Sequence, residues 1–140
     1  MRMVHQSSDV VAAVPQGELA SRTLAMPADT NPRGSMFGGW IMSLMDAAGS
    51  MTATKYAASG VVTAAVSDIS FLEPVRVGDV VCCYTRVVRL GTTSVTLGVE
   101  VWALRQGRGA RVKVTNAEFT FVAVSKSGRP QPLSRKAETP

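Results

Sequence analysis

The 140-residue chain has the composition of one globular domain, with 46% hydrophobic and 18% charged residues. These fractions exclude a disordered chain, and the length leaves room for one moderate core. Fifteen basic and ten acidic residues give a formal net charge of +5, but no stretch interleaves Lys and Arg with the aromatic residues of a base-stacking surface. We therefore expect no nucleic-acid partner.

The chain begins with a polar stretch, a strand and a loop. Residues 1–16 predict a flexible N-terminus, and they lack the apolar core of a signal peptide. Residues 18–26 alternate in polarity as a strand does, and Pro27 ends that strand because proline cannot continue a central ladder. Residues 28–36 are rich in turn formers and predict a loop.

A long helix over residues 40–58 is the dominant predicted element. Apolar side chains recur on one of its faces at helical spacing: Ile41, Leu44, Met45, Ala48 and Met51. Alanines make much of the remaining surface apolar too, so we expect the helix to be buried within its own domain. It is too short and too rich in small polar residues to span a membrane. Gly60 is the predicted C-terminal cap.

Asp46 is the only charged residue between Arg33 and Lys55. An ionised carboxylate in an apolar setting costs several kcal/mol unless it is paired, hydrogen-bonded or protonated. From the helix alone, two explanations stay open. The carboxylate either hydrogen-bonds to Ser43, Ser50 or another chain and has no further role, or it has a chemical use.

Four strands follow the helix. Their predicted ranges are residues 61–71, 80–90, 92–104 and 111–124. A hairpin turn at residues 106–109 joins the last two. A one-residue slip in the apolar alternation of the last strand, after Val114, predicts a β-bulge. Residues 126–140 contain three prolines and several charges and predict a flexible basic tail.

This order of elements is that of an α+β fold, in which one antiparallel sheet is wrapped around one long central helix. The other face of the sheet, or its edges, must then be buried against a partner. We therefore expect at least a homodimer.

The two cysteines, Cys82 and Cys83, are adjacent in a predicted strand. Neighbouring strand residues point to opposite faces, so these two are poorly placed to bridge each other. They predict small buried side chains in a cytoplasmic protein. Together with the single histidine, His5, they make no sensibly spaced set of metal ligands, so no metal is expected.

Several short segments occur in a characteristic order along the chain. They are Met-Pro-Ala-Asp-Thr-Asn at 26–31, Phe-Gly-Gly-Trp-Ile-Met-Ser at 37–43, Met-Asp at 45–46, Val-Val-Thr at 61–63, Pro-Val at 74–75, Val-Gly-Asp at 77–79, Val-Glu-Val-Trp at 99–102 and Phe-Thr-Phe-Val-Ala-Val at 119–124. Over residues 17–129 this arrangement resembles the YciA-type acyl-CoA thioesterases of the hotdog-fold superfamily.

The resemblance implies a hotdog domain over residues 17–125 that hydrolyses acyl-CoA to a free acid and CoA. It implies Asp46 as the catalytic carboxylate, acting as general base on water or as nucleophile, and a contribution from Asn31 in the loop before the helix. It also implies that Gly38 and Gly39 begin the helix and that the active site is a cleft across the dimer interface. The implied assembly is a trimer of hotdog dimers, and no cofactor is implied.

Elementary chemistry agrees with this site in part. Thioester hydrolysis needs a group that delivers water and donors that stabilise an oxyanion. Free N–H groups at a helix start are such donors, and Gly38 and Gly39 admit a carbonyl close to the backbone. Taken alone, the Gly pair favours a tight turn, and Asn31 favours an Asx-type turn before Pro32. Asp46 lies about 10 Å along the axis from Gly39, so we expect Asp46 to meet Gly39 of another chain.

The candidate catalytic residues are Asp46, Asn31 and Gly39. The candidate substrate-binding residues are Gly38, Phe37, Trp40 and Met45, with Arg108 and Arg111 for the phosphates of CoA. The sequence does not distinguish these two arginines from the other basic residues. It does not indicate the acyl-chain length either, because the depth of a pocket depends on the orientation of its side chains.

The shortage of histidine narrows the reaction. His5 lies in the predicted flexible end, so a Ser-His-Asp or Cys-His site has no base. Hotdog dehydratases generally use a histidine with a carboxylate, which disfavours dehydration. The predicted function is therefore acyl-CoA hydrolysis through a carboxylate. The alternative is the same fold binding acyl-CoA without turnover, with Asp46 purely structural.

Overall fold

The computed structural model describes residues 14–134. Its strands and its long helix are β1 (Glu18–Leu24), α1 (Gly38–Thr54), β2 (Gly60–Val66), β3 (Val80–Leu90), β4 (Ser94–Leu104) and β5 (Arg111–Val124). Two single 3-10 turns accompany them, Pro27–Asp29 and Arg105–Gly107. The predicted flexible N-terminus therefore lies largely outside the described residues, and His5 lies there too.

The five strands form one antiparallel sheet in the order β1-β3-β4-β5-β2. Helix α1 contacts all five strands, so the sheet wraps around the helix, and the predicted α+β architecture is confirmed. The two edge strands are β1 and β2. Within residues 14–134, strand β2 pairs only with β5, and most of its residues are exposed.

Helix α1 buries one stripe of side chains against the sheet. The buried residues are Ile41, Met45, Ala48, Gly49 and Ala53. The opposite side keeps apolar residues in solvent, with Met42 40% and Met51 52% exposed. Burial of the helix all round is therefore a wrong prediction for the single chain, because the sheet covers only one side of it.

The end of α1 also differs from the prediction. The helix ends at Thr54, where Lys55 and Tyr56 donate to carbonyls three residues back, Thr52 O and Ala53 O. Such i to i−3 bonds tighten a last turn and satisfy carbonyls that would otherwise need a cap. Gly60 begins β2 and has no positive φ, so it is not the cap.

Strand β5 contains the predicted bulge. Val101 faces Thr115 and the next residue of β4, Trp102, faces Lys113, so Val114 is an extra residue in β5. Val114 and Thr115 are both fully buried, although they are neighbours. The slip of the apolar pattern in the sequence is thus the bulge itself.

Strand β2 is shorter than predicted and ends at Val66 rather than at residue 71. Beyond it, the chain is tied to the bulge of β5 by bonds outside the ladder. Leu72 donates its N–H to Val114 O at 2.7 Å, and the Thr115 hydroxyl donates to Ser70 O at 2.7 Å. At the bulge, Val114 and Thr115 therefore bond to Leu72 and Ser70 outside the regular ladder, and they do not extend β2.

Part of the predicted flexible tail packs on the domain. Gln131 donates its backbone N–H to Ala123 O, and Leu133 donates to Thr92 O. The side chain of Leu133 is only 8% exposed. Residues 126–134 are therefore held against the domain by backbone hydrogen bonds and one apolar anchor, and residues 135–140 lie outside the described part.

Candidate active site

Asp46 lies half-buried on α1 and is turned towards the edge strand β2. The hydroxyl of Thr63 donates to Asp46 Oδ1 at 2.6 Å. The serines expected as partners bond elsewhere: Ser43 donates to Trp40 O and Ser50 donates to Ala47 O, both within the helix. Within residues 14–134, Oδ2 of Asp46 has no hydrogen-bond partner, so this oxygen remains available.

The start of α1 presents free backbone donors. The N-cap residue, Phe37, makes no side-chain cap, and the first amides that bond to its carbonyl are those of Trp40 and Ile41. Among the described residues, the amides of Gly38 and Gly39 donate to no acceptor. Such amides carry the positive end of the helix dipole and suit a carbonyl oxygen that becomes negative.

Asn31 forms the Asx-type turn that its position before Pro32 predicts. Its Oδ1 accepts the N–H of Arg33 at 2.8 Å and that of Ser35 at 3.1 Å. In the part of the chain that the structure describes, its side-chain amide nitrogen donates to no acceptor. The turn thus fixes the side chain while its donor end stays free.

A cavity of about 300 Å³ lies beside the helix start. Asn31 and Gly38 border it, and Met36, Ile41 and Val75 give it a buried apolar floor. The ring of Phe71 forms another wall, so close that a Cβ on Gly38 would come within 3.3 Å of it. Polar donors on the rim and an apolar floor are the usual features of a small-molecule site.

The structure brings Asn31 and Gly38 together but leaves Asp46 outside this cavity. Gly39 and Asp46 lie on the same side of α1, because seven residues make nearly two whole turns, and they are about 10 Å apart along the axis. One thioester carbonyl cannot reach both within one chain. The two parts of the candidate site are therefore separate in a single protomer.

The other candidates occupy different surroundings. Trp40 packs partly buried against the core, and Phe37 is 52% exposed beside the helix start. Met45 is fully buried in the core, so its side chain packs the fold and does not line the cavity. Arg108 is exposed, Arg111 donates to the Tyr84 hydroxyl at 3.3 Å, and neither borders this cavity.

Two residues of the site were not identified from the sequence. Thr63 belongs to the Val-Val-Thr segment of the resemblance but was given no role there, since its contact with Asp46 joins positions 17 residues apart. Phe71 was assigned to the end of that strand, whereas it lies in the irregular segment that follows β2. Only the shortening of β2 at the bulge of β5 puts its ring at the helix start.

The remaining titratable groups offer no metal site in the described part of the chain, where no three His, Cys, Asp or Glu side chains cluster. Cys82 and Cys83 are buried and unbridged, as predicted. Burial raises the pKa of the Cys83 thiol to about 11, which keeps it protonated and unreactive at neutral pH. No helix of residues 14–134 is long and apolar enough to cross a membrane.

The antiparallel sheet wrapped around one central helix defines the class as a hotdog fold. A model of the thioesterase superfamily matches residues 33–110. The acyl-CoA thioester hydrolase YciA of Escherichia coli strain K12 is 53% identical over 123 residues, which make up 86% of this chain and 93% of that protein. The chain therefore belongs to the YciA family of acyl-CoA thioester hydrolases within the thioesterase superfamily.

Solved structures agree with this assignment. A hexameric thioesterase from Yersinia pestis is similar with a TM-score of 0.82 and 50% identity, and the match covers 86% of this chain and 98% of that one. An acyl-CoA hydrolase from Staphylococcus aureus, solved with butyryl coenzyme A and coenzyme A, has a TM-score of 0.74 and 30% identity. That match covers 81% of this chain and 69% of the other.

Proposed function

We propose that the protein hydrolyses acyl-CoA to a free acid and CoA, with Asp46 as the catalytic carboxylate. The observation that carries the proposal is the state of Asp46: one carboxylate oxygen accepts from Thr63 and the other has no partner among the described residues. A carboxylate held in this way can take a proton from water or attack the thioester carbon directly. No cofactor is needed for either route.

The oxyanion would form at the start of α1. The unpartnered amides of Gly38 and Gly39 point their partial positive charge at a carbonyl oxygen placed there. The free amide donor of Asn31, on the rim of the adjacent cavity, suits the orientation of water or substrate. These donors would stabilise the negative charge that develops on the carbonyl oxygen during hydrolysis.

A second copy of the chain would complete the site. The distance of about 10 Å between Gly39 and Asp46 forbids their cooperation within one protomer. The exposed edge of β2 lies next to Asp46 and carries Val62 and Val66, which are 49% and 42% exposed. An unpaired apolar edge of this kind favours pairing with an identical strand, which brings two helices together about a two-fold axis.

A hexamer built as a trimer of such dimers is the assembly that we propose, since the similar Yersinia pestis thioesterase is hexameric. A cytoplasmic location is part of the same proposal. The two buried, unbridged cysteines are in keeping with a reducing compartment.

The experiment measures CoA release from a series of acyl-CoAs of increasing chain length by wild type, Asp46→Asn and Glu18→Gln. Asn keeps the shape of the side chain but removes the base, so kcat should fall at least about a hundredfold. Glu18 is exposed at the beginning of β1, and its variant controls for the loss of any one negative charge. A wild type that binds CoA but releases none from any thioester would replace hydrolysis by the alternative, a binding protein in which Asp46 is structural.

A further inference from the structure

The wall of the cavity beside the helix start is an irregular segment. Contacts outside the regular hydrogen bonds of the sheet must therefore hold it in place. Residues 71–75 provide that wall, with Phe71 and Val75 at its two ends. The backbone N–H of Met36 donates to Val75 O at 2.8 Å, and Leu72 is tied to Val114. Between these two anchors, the main chain at Pro74 makes no backbone hydrogen bond to any strand of the described residues.

Arg105 supplies the missing support. Its Nη1 donates to Pro74 O at 2.8 Å and also to the carboxylate of Asp79, which is only 1% exposed. Its Nη2 lies 3.7 Å from Glu73 Oε1. One guanidinium, in the connection between β4 and β5, thus joins the cavity wall to a buried carboxylate just before β3.

Asp79 is itself held by the backbone on both sides. It accepts the N–H of Arg76 at 2.9 Å and that of Gln106 at 3.2 Å. Gln106 has a φ of 51°, the only positive value for a non-glycine residue in residues 14–134, and its side chain donates to Val77 O at 3.1 Å. A left-handed glutamine persists only where its surroundings compensate the strain, and here its hydrogen bonds to Asp79 and Val77 do so.

We propose that Arg105 is a positioning residue that selects the acyl group, by fixing the wall formed by residues 71–75. The proposal rests on the proposed function and identifies the cavity of about 300 Å³ as the acyl pocket. Its buried apolar floor suits an acyl chain, and the wall of residues 71–75 limits the space that the chain can occupy.

Loss of the Arg105 side chain removes its contacts with Pro74 O and with Asp79. Without the guanidinium, Pro74 O loses its donor and the buried Asp79 loses its cation. The wall can then move away from the helix start, and the ring of Phe71 no longer packs on Gly38. A looser pocket discriminates less between chain lengths, whereas the distant Asp46 is untouched.

The test compares kcat and KM across short to long acyl-CoAs for wild type, Arg105→Gln, Arg105→Lys and Arg129→Gln. Arg129 is exposed in the turn after β5 and does not line the cavity. We expect the ratio of kcat/KM between the best substrate and the longest acyl-CoA of the series to fall about tenfold in Arg105→Gln, mostly through KM. Lys keeps the charge but lacks the rigid planar fork of the guanidinium, so Arg105→Lys should fall between.

A second variant keeps the test independent of folding. Phe71→Leu changes the wall directly, and its effect on the same ratio should be less than additive with that of Arg105→Gln. Equal losses for every substrate, or an unchanged ratio in a folded Arg105 variant, would overturn the proposal. If Arg105→Gln does not fold, Arg105→Lys is judged by the same criterion. Failure of the proposed function is distinct, since then the wild type itself would hydrolyse none of the substrates.

Discussion

Thr63 donates its hydroxyl hydrogen to Asp46 Oδ1 at 2.6 Å and thereby joins the edge strand β2 to the exposed side of α1. A hydroxyl bonded to an ionised carboxylate is a charge-assisted donor, and such bonds are short and strong. This bond fixes one oxygen of Asp46 and leaves the other without a partner among residues 14–134.

Replacement of Thr63 separates this positioning from simple packing. Thr63→Val keeps the shape and removes the donor, so we expect kcat to fall about tenfold. The melting temperature should change little, since valine fills the same space. Thr63→Ser restores the hydroxyl and should recover most of the rate. The measurement is kcat for one acyl-CoA in wild type, Thr63→Val and Thr63→Ser. Equal loss in both variants would assign the effect to the β-branched methyl group.

The edge of β2 provides a prediction about assembly. Val66 is 42% exposed in the single chain and would be covered by a second copy, where a lysine would be a desolvated, unpaired charge. Val66→Lys should therefore shift the protein towards monomers in analytical ultracentrifugation and reduce hydrolysis at least about tenfold. Val87→Lys, at an exposed valine of β3, is the control. A monomer that keeps full activity would refute the shared site.

Much of the fold could be predicted from local sequence pattern, because the periodicity of apolar residues, the turn residues and the bulge all depend on residues close together in the chain. Strands β3 and β5 have the predicted bounds, and the slip after Val114 marks the bulge of β5. The end of β2, the docking of Leu133 and the bond between Thr63 and Asp46 join positions far apart in sequence. No local pattern encodes such contacts, and the wall at Phe71 depends on them.

Gly49 tests how tightly α1 packs on the sheet. A Cβ at this position would come within 2.8 Å of the ring of Phe121, and both residues are buried in the centre of the contact. Gly49→Ala should therefore lower the free energy of unfolding by about 1–3 kcal/mol, although alanine favours helices. Gly60→Ala, where a Cβ meets nothing within 4 Å, is the matched control. Urea denaturation of both variants measures the difference.

The docking of residues 126–134 is tested at Leu133. This side chain is 8% exposed, so Leu133→Ala should cost about 2 kcal/mol or more of unfolding free energy. Leu19→Ala removes the same atoms from a side chain that is 48% exposed and should cost much less. A tail that contributes nothing would give the two variants the same denaturation midpoint.

Cys83 makes a prediction about pH. Burial raises its pKa from 9.0 to about 11, so between these values the unfolded chain releases the thiol proton while the folded chain keeps it. The stability contributed by the protonated thiol is complete below pH 9 and is lost as the pH rises towards 11. At about 1.4 kcal/mol for each pKa unit, the loss approaches about 2–3 kcal/mol.

The measurement compares the free energy of unfolding in urea at pH 8 and pH 10.5 for wild type, Cys83→Ala and Cys82→Ala. Cys83→Ala removes the titrating thiol, so its stability should fall less between the two pH values than that of wild type. Cys82→Ala keeps the thiol of Cys83 and should retain the wild-type difference. Because other groups titrate in this range in every variant, only the difference between variants reports Cys83. Identical pH dependence in all three proteins would mean that the thiol is less buried than its packing against the helix-facing core implies.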